Sequence, residues 1–336
     1  MKEKPLITVS IKTLNEEQGI ERTIESARAQ LSHYPHQIIV ADSLSTDNTR
    51  ALALASGATV VCLDDVQDRC CGVGHQLSWF HSDGDYLLLL DGDMELEDGF
   101  IDAAISFLEE NPDYAGVAGL VEMDEACNYE FKSRKQRLHM IYPVGDVDHL
   151  AGGGLYRRSA IENIGYLTNR NLHALEESEL GMRVLAAGHK LHRLPIPYFK
   201  HTSYTMTTFS MLRHRWKSGY LAGPGELLRN SWGKPYFPSA LRNIRNEVVF
   251  TVYLLVLLCS LLSLNKTLIV GMLVPLIAFI ALKSIRNRSF KTAIHSVINL
   301  SFFSAGLIRG LLHRVKDPTV SPKVTVTYPN DSSVSK

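Results

Sequence analysis

The stretch Tyr86-Leu-Leu-Leu-Leu-Asp-Gly-Asp93 narrows the choice of fold more than any other part of this chain. An unbroken apolar run, stopped by Gly92 before a helix has room to form, reads as a strand covered on both faces. Two carboxylates stand where it ends. If the backbone stays extended across Gly92, Asp91 and Asp93 point to the same side. Gly92 also lets the chain bend and lets a ligand come close. Paired hard-oxygen groups at the carboxyl end of a strand suit a divalent metal holding a phosphate. Asp-Gly equally suits a turn that caps a helix starting near Glu97.

The neighbouring segments supply the context of that strand. Residues 6–11, 37–41 and 58–63 are strand-like runs, separated by helical patterns over 20–31, 50–55 and 72–82. Strands alternating with helices through short loops predict an α/β domain with a mainly parallel sheet. Polar residues follow three strand ends: Asn15 and Glu16, then Asp42, then Asp91 and Asp93. Ligands of open α/β sheets bind along that edge. No G-x-G-x-x-G follows the first strand, since Thr13-Leu-Asn-Glu16 stands there, and no Walker A loop is present. Dehydrogenase and P-loop chemistries are therefore poorly supported. Lys+Arg and Asp+Glu balance at 35 each, so no net charge points to nucleic acid. Five cysteines without a C-x-x-C pair read as reduced structural thiols.

Several residues suit a nucleotide by chemistry alone. Carboxylates and amides at strand ends can pair with ribose hydroxyls and a base, although Asn15 and Asp47 are equally suited to capping the next helices. Arg69, ahead of Gly72 and Gly74, is placed to reach a phosphate. Leu150-Ala-Gly-Gly-Gly-Leu-Tyr156 lets backbone approach a ligand or pack tightly. Residues 175–189 form an amphipathic helix pattern with Glu176 and Glu177 at its start, where the positive helix end stabilises carboxylates.

Taken in order, Thr13-x-Asn15-Glu16, Asp42-Ser-x-Ser-Thr-Asp47, Asp91-Gly-Asp93, Gly152-Gly-Gly154 and Glu176-Glu177-x-Glu179-Leu180-x-x-Arg183 resemble family 2 glycosyltransferases of the GT-A fold, in their membrane-anchored bacterial form. The likeness covers roughly the first 220 residues. It implies that Thr13, Glu16 and Asp42 contact the nucleoside. It implies that Asp91 and Asp93 hold Mg or Mn on the diphosphate, with His201 as a third ligand. Gly153 and Gly154 would lie against the donor sugar or acceptor, and Asp146 and Asp148 near the acceptor. The acidic pair would supply the base, Glu177 first and Glu176 as fallback, although Asp is commoner where Glu177 stands. Processive synthases carry Gln-x-x-Arg-Trp where this chain has Leu212-x-x-Arg215-Trp216. Arg215 and Trp216 are then acceptor-binding candidates for single-sugar transfer, and a basic juxtamembrane anchor is the other reading.

After about residue 246 the composition changes. Residues 248–264 and 268–282 are nearly charge-free and fit a transmembrane hairpin. Residues 296–312 read as a third membrane or interfacial helix. Arg242 and Arg245 before the hairpin, with Lys283, Arg286, Arg288 and Lys291 after it, predict cytoplasmic ends. The N-terminal run enters a strand without a signal-peptide core, which agrees with a cytosolic catalytic domain on the inner membrane. The expected organisation is a GT-A domain over 1–225, a linker over 226–246, membrane helices over 247–315 and a disordered tail over 316–336. The expected activity is transfer of one sugar from a UDP-sugar to a lipid-linked or polysaccharide acceptor of the cell envelope, with inversion. The rivals are an inactive sugar-nucleotide-binding membrane adaptor and a nucleotidyltransferase.

Overall fold

The computed structural model describes residues 3–123, 138–201 and 208–329. The chain forms two compact units: Met1–Thr208 together with Lys316–Lys336, and Phe209–Val315.

In the first unit, β1 (Ile7–Thr13), β2 (His36–Asp42), β3 (Thr59–Leu63), β4 (Tyr86–Asp91), β5 (Met94–Leu96), β6 (Tyr114–Met123), β7 (Gly145–Asp146), β8 (Gly154–Arg157), β9 (Lys190–His201) and β10 (Val324–Thr327) share one sheet. Their order is β10-β3-β2-β1-β4-β8-β6-β9-β5, with β7 on β9. The helices are α1 (Ile20–Gln30), α2 (Thr49–Ala55), α3 (Cys71–Phe80), α4 (Phe100–Glu110), α5 (Leu138–Ile141), α6 (Arg158–Ile164) and α7 (Glu176–Ala186).

Strand periodicity explains how the layers form. Ile7, Val9 and Ile11 of β1, with Ile38 and Val40 of β2, pack with Ile20, Ile24 and Ala27 of α1 and Phe100 and Ala104 of α4 in one core. The alternate residues Ile39 and Ala41 of β2 face Val73 and Leu77 of α3 in another. The five residues from Tyr86 to Leu90 are all at most 2% exposed, as a strand between two helical layers requires. Strands β3-β2-β1-β4 are parallel, as the alternation predicts. Beyond β4 the sheet is mixed, because β8 inserts antiparallel to both β4 and β6. Its four residues begin at the last glycine of the three-glycine loop.

The tail departs from expectation. Residues 316–329 are ordered on the first unit, and β10 pairs antiparallel with the edge strand β3. Lys316 and Asn171 exchange two hydrogen bonds of 2.6 and 2.7 Å, and Arg170 donates to the Val320 carbonyl. Asp68 accepts from Arg170 at 2.6 Å and Lys316 at 2.8 Å. The Val324-Thr-Val-Thr327 alternation is too short, among prolines and serines, to stand out in sequence. Its stability comes from the waiting edge of β3. Removing residues 316–336 is expected to lower the midpoint of thermal unfolding of the first unit by about 5–10 °C. An unchanged melting curve would show that the strap adds nothing.

The second unit holds α8 (Thr208–Lys217), α9 (Gly223–Ser231), α10 (Phe237–Asn243), α11 (Arg245–Leu262), α12 (Lys266–Asn287) and α13 (Phe290–Leu312). Three of these, α11, α12 and α13, are long and apolar enough to cross a membrane, with mean hydropathies of 1.7, 2.4 and 1.2. Asn265 caps α12 by accepting from the amides of Thr267 and Leu268. Residues 209–225, assigned from sequence to the catalytic domain, belong to this unit. They are held there by close packing: a Cβ on Gly225 would meet the Leu307 carbonyl at 1.9 Å, and one on Gly310 would meet that of Ala222 at 2.1 Å.

Candidate active site

The carboxyl ends of β1, β2 and β4 converge, and two loops there are laced together. The Asn15 amide donates to Ser45 Oγ at 2.9 Å, that of Glu16 to Thr49 Oγ1 at 2.8 Å, and that of Glu17 to Asp47 Oδ2 at 3.2 Å. Asn15 Oδ1 accepts from the Thr46 amide in return. Asn15 and Asp47 therefore join the β1–α1 loop to the β2–α2 loop, and Asp47 also accepts from the amide of Thr49, the first residue of α2, at 3.0 Å. Asn15 takes a left-handed φ of 61°, and Leu44 opposite takes 63°, a conformation that costs non-glycine residues energy and collects at functional sites.

Asp42 is fully buried. Its carboxylate accepts from Thr13 Oγ1 at 3.1 Å and from the amide and hydroxyl of Ser45 at 2.9 and 2.5 Å. Asp42 and Thr13 thus brace the loop from beneath. This is a correction to the expected direct nucleoside contact of Asp42, because desolvation and saturation of its oxygens leave no surface for a ligand. Arg69 donates to the Leu44 carbonyl at 2.9 Å and so props the same loop. Glu16, half-buried, lies against Gly92: a Cβ on Gly92 would stand 2.8 Å from Glu16 Cγ.

Asp91 ends β4, Gly92 and Asp93 form a turn, and Met94 opens β5. The backbone therefore bends between the carboxylates instead of continuing extended. The Gly92 amide donates to the Lys12 carbonyl at 3.0 Å, and Thr23 Oγ1 donates to the Gly92 carbonyl at 3.0 Å. Helix α4 begins only at Phe100, so Asp91 and Asp93 cap no helix there. Both are partly exposed. Two hard-oxygen donors on one tight, accessible turn fit a Mg- or Mn-type ion. In the β5–β9 ladder His201 is the backbone partner of Met94, which places it one register from Asp93.

The acidic pair reaches the same place from the other end of the chain. Leu175 takes a left-handed φ of 70° just before α7, and the first turn of the helix carries Glu176 and Glu177. Lys12 Nζ lies 3.2 Å from Asp91 Oδ1 and 3.2 Å from Glu176 Oε1. Burial pushes the Lys12 pKa down, but Asp91 and Glu176 together hold it well above its ordinary value. Glu177 accepts from the Gly152 amide at 3.1 Å and the Gly153 amide at 2.8 Å. Burial first, then the charge of Glu176, raises its pKa to about 7 against the pull of Lys12 and the Gly152 amide. The glycine loop is built to make those two bonds. Gly152, Gly153 and Gly154 all have positive φ, and a Cβ on Gly153 would meet the Leu89 carbonyl at 2.1 Å.

Sequence reasoning missed Lys12. His75 is buried, and Ser10 Oγ lies 2.8 Å from its Nδ1. Burial and the Lys12 charge push its pKa down to about 3, so it is neutral beside Asp91. The signal for Lys12 was its place. A lysine at the end of a core strand, two residues beyond Ser10 on the same face, needs a partner. Arg215 and Trp216 lie in the second unit. There the Trp216 carbonyl accepts from Arg309 at 2.8 Å, its ring meets Phe302 edge-on, and Arg215 stacks over Tyr220.

Residues 8–165 match the family model described as glycosyl transferase family 2. A search of curated proteins finds no match to the sequence. Among solved structures, the mannosyltransferase PcManGT from Pyrobaculum calidifontis, in complex with GDP-Man and Mn2+, superposes with a TM-score of 0.54 at 15% identity, covering 93% of this chain and 88% of that one. TarS 1–349 of S. aureus, in complex with UDP-GlcNAc, gives 0.50 at 14% identity and 97% coverage of both chains. The chain spans 43% of the longer TarS chain that it also matches. At these identities the likeness is one of fold. Residues 8–165, most of the first unit, thus match the glycosyl transferase family 2 model on a GT-A-like fold.

Proposed function

We propose that this chain is a metal-dependent, membrane-associated transferase that moves one sugar from a nucleotide-sugar, a UDP-sugar in the first instance, to a lipid-linked or polysaccharide acceptor. The observation that carries this reading is the convergence of the Asp91-Gly92-Asp93 turn, Lys12, Glu176 and the Glu177-bound glycine loop at one sheet edge. A domain that only bound a nucleotide would not need a desolvated carboxyl with a pKa near 7 there.

A Mg or Mn ion held by Asp93 and Asp91, with His201 as a candidate third ligand, would offset the negative charge of the leaving nucleoside diphosphate. Around it, Glu16 and the laced loops form the wall for the nucleoside, and Thr13 and Asp42 hold that wall in shape. Gly153 and Gly154 let the sugar lie against backbone. Glu177 takes the proton of the acceptor hydroxyl as that oxygen bonds to the anomeric carbon and the bond from that carbon to the diphosphate breaks. One displacement from the opposite face inverts the sugar. Helices α11 and α12 are proposed as a hairpin with both ends in the cytosol, where basic residues flank them, and α13 as the helix that completes the anchor. A membrane anchor suits an acceptor that is itself lipid-borne, as in envelope polysaccharide assembly.

The test uses the full chain in detergent, with thermal unfolding followed against UDP-, GDP- and other nucleotide-sugars, each with and without Mn2+. One nucleotide at about 100 times its Kd should stabilise by about 2.7 kcal/mol, only with metal present. The same donor should then be hydrolysed slowly without acceptor. Stabilisation without hydrolysis would favour the inactive adaptor, and no stabilisation by any nucleotide would sink the reading.

A further inference from the structure

Lys12 stands out because a charged side chain on a central strand has been given dedicated space. The side chain is 20% exposed, and its Nζ sits between Asp91 Oδ1 and Glu176 Oε1 at 3.2 Å from each. Its stem runs beneath α3 at Gly74, where a Cβ would approach Lys12 Cγ to 2.4 Å and Cδ to 2.7 Å. A glycine inside a helix weakens it, so the position favours room for the lysine over helix stability. His75 Nε2 stands 3.9 Å from Asp91 Oδ1, beyond hydrogen-bond reach.

We infer that Lys12 is an internal counter-cation that shares Asp91 with the divalent ion, so that the ion binds weakly until a nucleoside diphosphate joins it. The inference rests on the diphosphate-site reading above and adds an order of assembly to it. An ammonium group in contact with a metal-ligating carboxylate repels an approaching divalent ion and occupies one of its ligand oxygens. A diphosphate reverses the balance, since it brings negative charge and new oxygen ligands for both cations. Ion and nucleotide then strengthen each other's binding by one common factor. Lys12 also spaces Asp91 from Glu176, two carboxylates that would otherwise repel across the site.

The experiment measures Mn2+ binding directly, from the electron paramagnetic resonance of the free ion, on full-length protein in detergent with and without UDP. Lys12→Met keeps the stem and removes the charge. It is expected to bind Mn2+ alone about tenfold or more tightly than the wild type, with the gain in Mn2+ affinity from UDP reduced by the same factor. Lys12→Arg should keep the wild-type values. Gly74→Ala, which displaces the lysine without removing it, should move in the direction of Lys12→Met and decides the matter if that variant fails to fold. Unchanged or weaker Mn2+ binding in folded Lys12→Met or Gly74→Ala overturns the inference. Mn2+ binding that survives Asp93→Ala in the presence of UDP overturns the site reading instead.

Discussion

Asp93→Ala is expected to lower sugar transfer by about a thousandfold or more and to remove the metal-dependent part of any stabilisation by nucleoside diphosphate. The leaving group of the proposed reaction is a dianionic or trianionic diphosphate, and its departure is slow unless that charge is offset as it develops. Asp93 sits on the turn between β4 and β5, outside both strands and partly exposed. The turn itself is held by backbone and by α1, through the Gly92 amide on the Lys12 carbonyl and Thr23 on the Gly92 carbonyl. The backbone of the turn should therefore keep its course without the Asp93 carboxylate. Asp91→Ala should behave differently, because it also strips Lys12 of one of its two partners. Retained activity in Asp93→Ala, measured by product formation from the donor identified in the thermal screen, would refute a metal-diphosphate site on this turn.

The parts of the site that were legible in the sequence are those set by local rules. A buried strand ending in Asp-Gly-Asp, loops of Asn, Asp and Ser after β1 and β2, and three adjacent glycines each announce a backbone geometry, and β1 to β4 follow from apolar runs of the right length. What local rules could not convey was who touches whom across the chain. The two-faced alternation of β1 put Ser10 and Lys12 on the face covered by α3, but the pairing of Lys12 with Glu176 depends on α7 arriving at the same edge. Asp42 looked like a ligand because no cap needed it, whereas it was satisfied by Thr13 and Ser45 once the loops closed. The tail was misjudged for a related reason: its order comes from a partner strand some 260 residues earlier, as in Thr325 with Asp64, and not from its own composition. The mixed half of the sheet was hidden because a four-residue antiparallel strand leaves no period to read.

Glu177→Gln is expected to cut turnover by about 10²- to 10⁴-fold, the usual worth of a general base, and to do so without loosening the glycine loop. The side-chain carbonyl of the introduced glutamine would stand where Glu177 Oε1 now accepts from the Gly152 and Gly153 amides, so those two bonds can persist and only the Gly152 amide's second contact, to Oε2 at 3.1 Å, is lost. The pH dependence separates a base from a structural clip. A base must be ionised, so wild-type turnover should climb as pH rises through about 7 and level off above it, and the variant should lack that limb. The stability effect has the opposite sign. A carboxyl whose pKa is raised from 4.5 to about 7 in the folded protein stabilises it fully below the unfolded value and loses that contribution as pH rises through the folded value. Glutamine carries no such charge, so at pH 8 the variant should melt no lower than the wild type, while between pH 4 and 8 its melting point should fall less. Full turnover in a folded Glu177→Gln protein would mean that the acceptor arrives already ionised, as a polyprenyl phosphate would. Glu177 would then serve only to hold Gly152 and Gly153, and Asp93→Ala would remain the sole severe lesion of the pair.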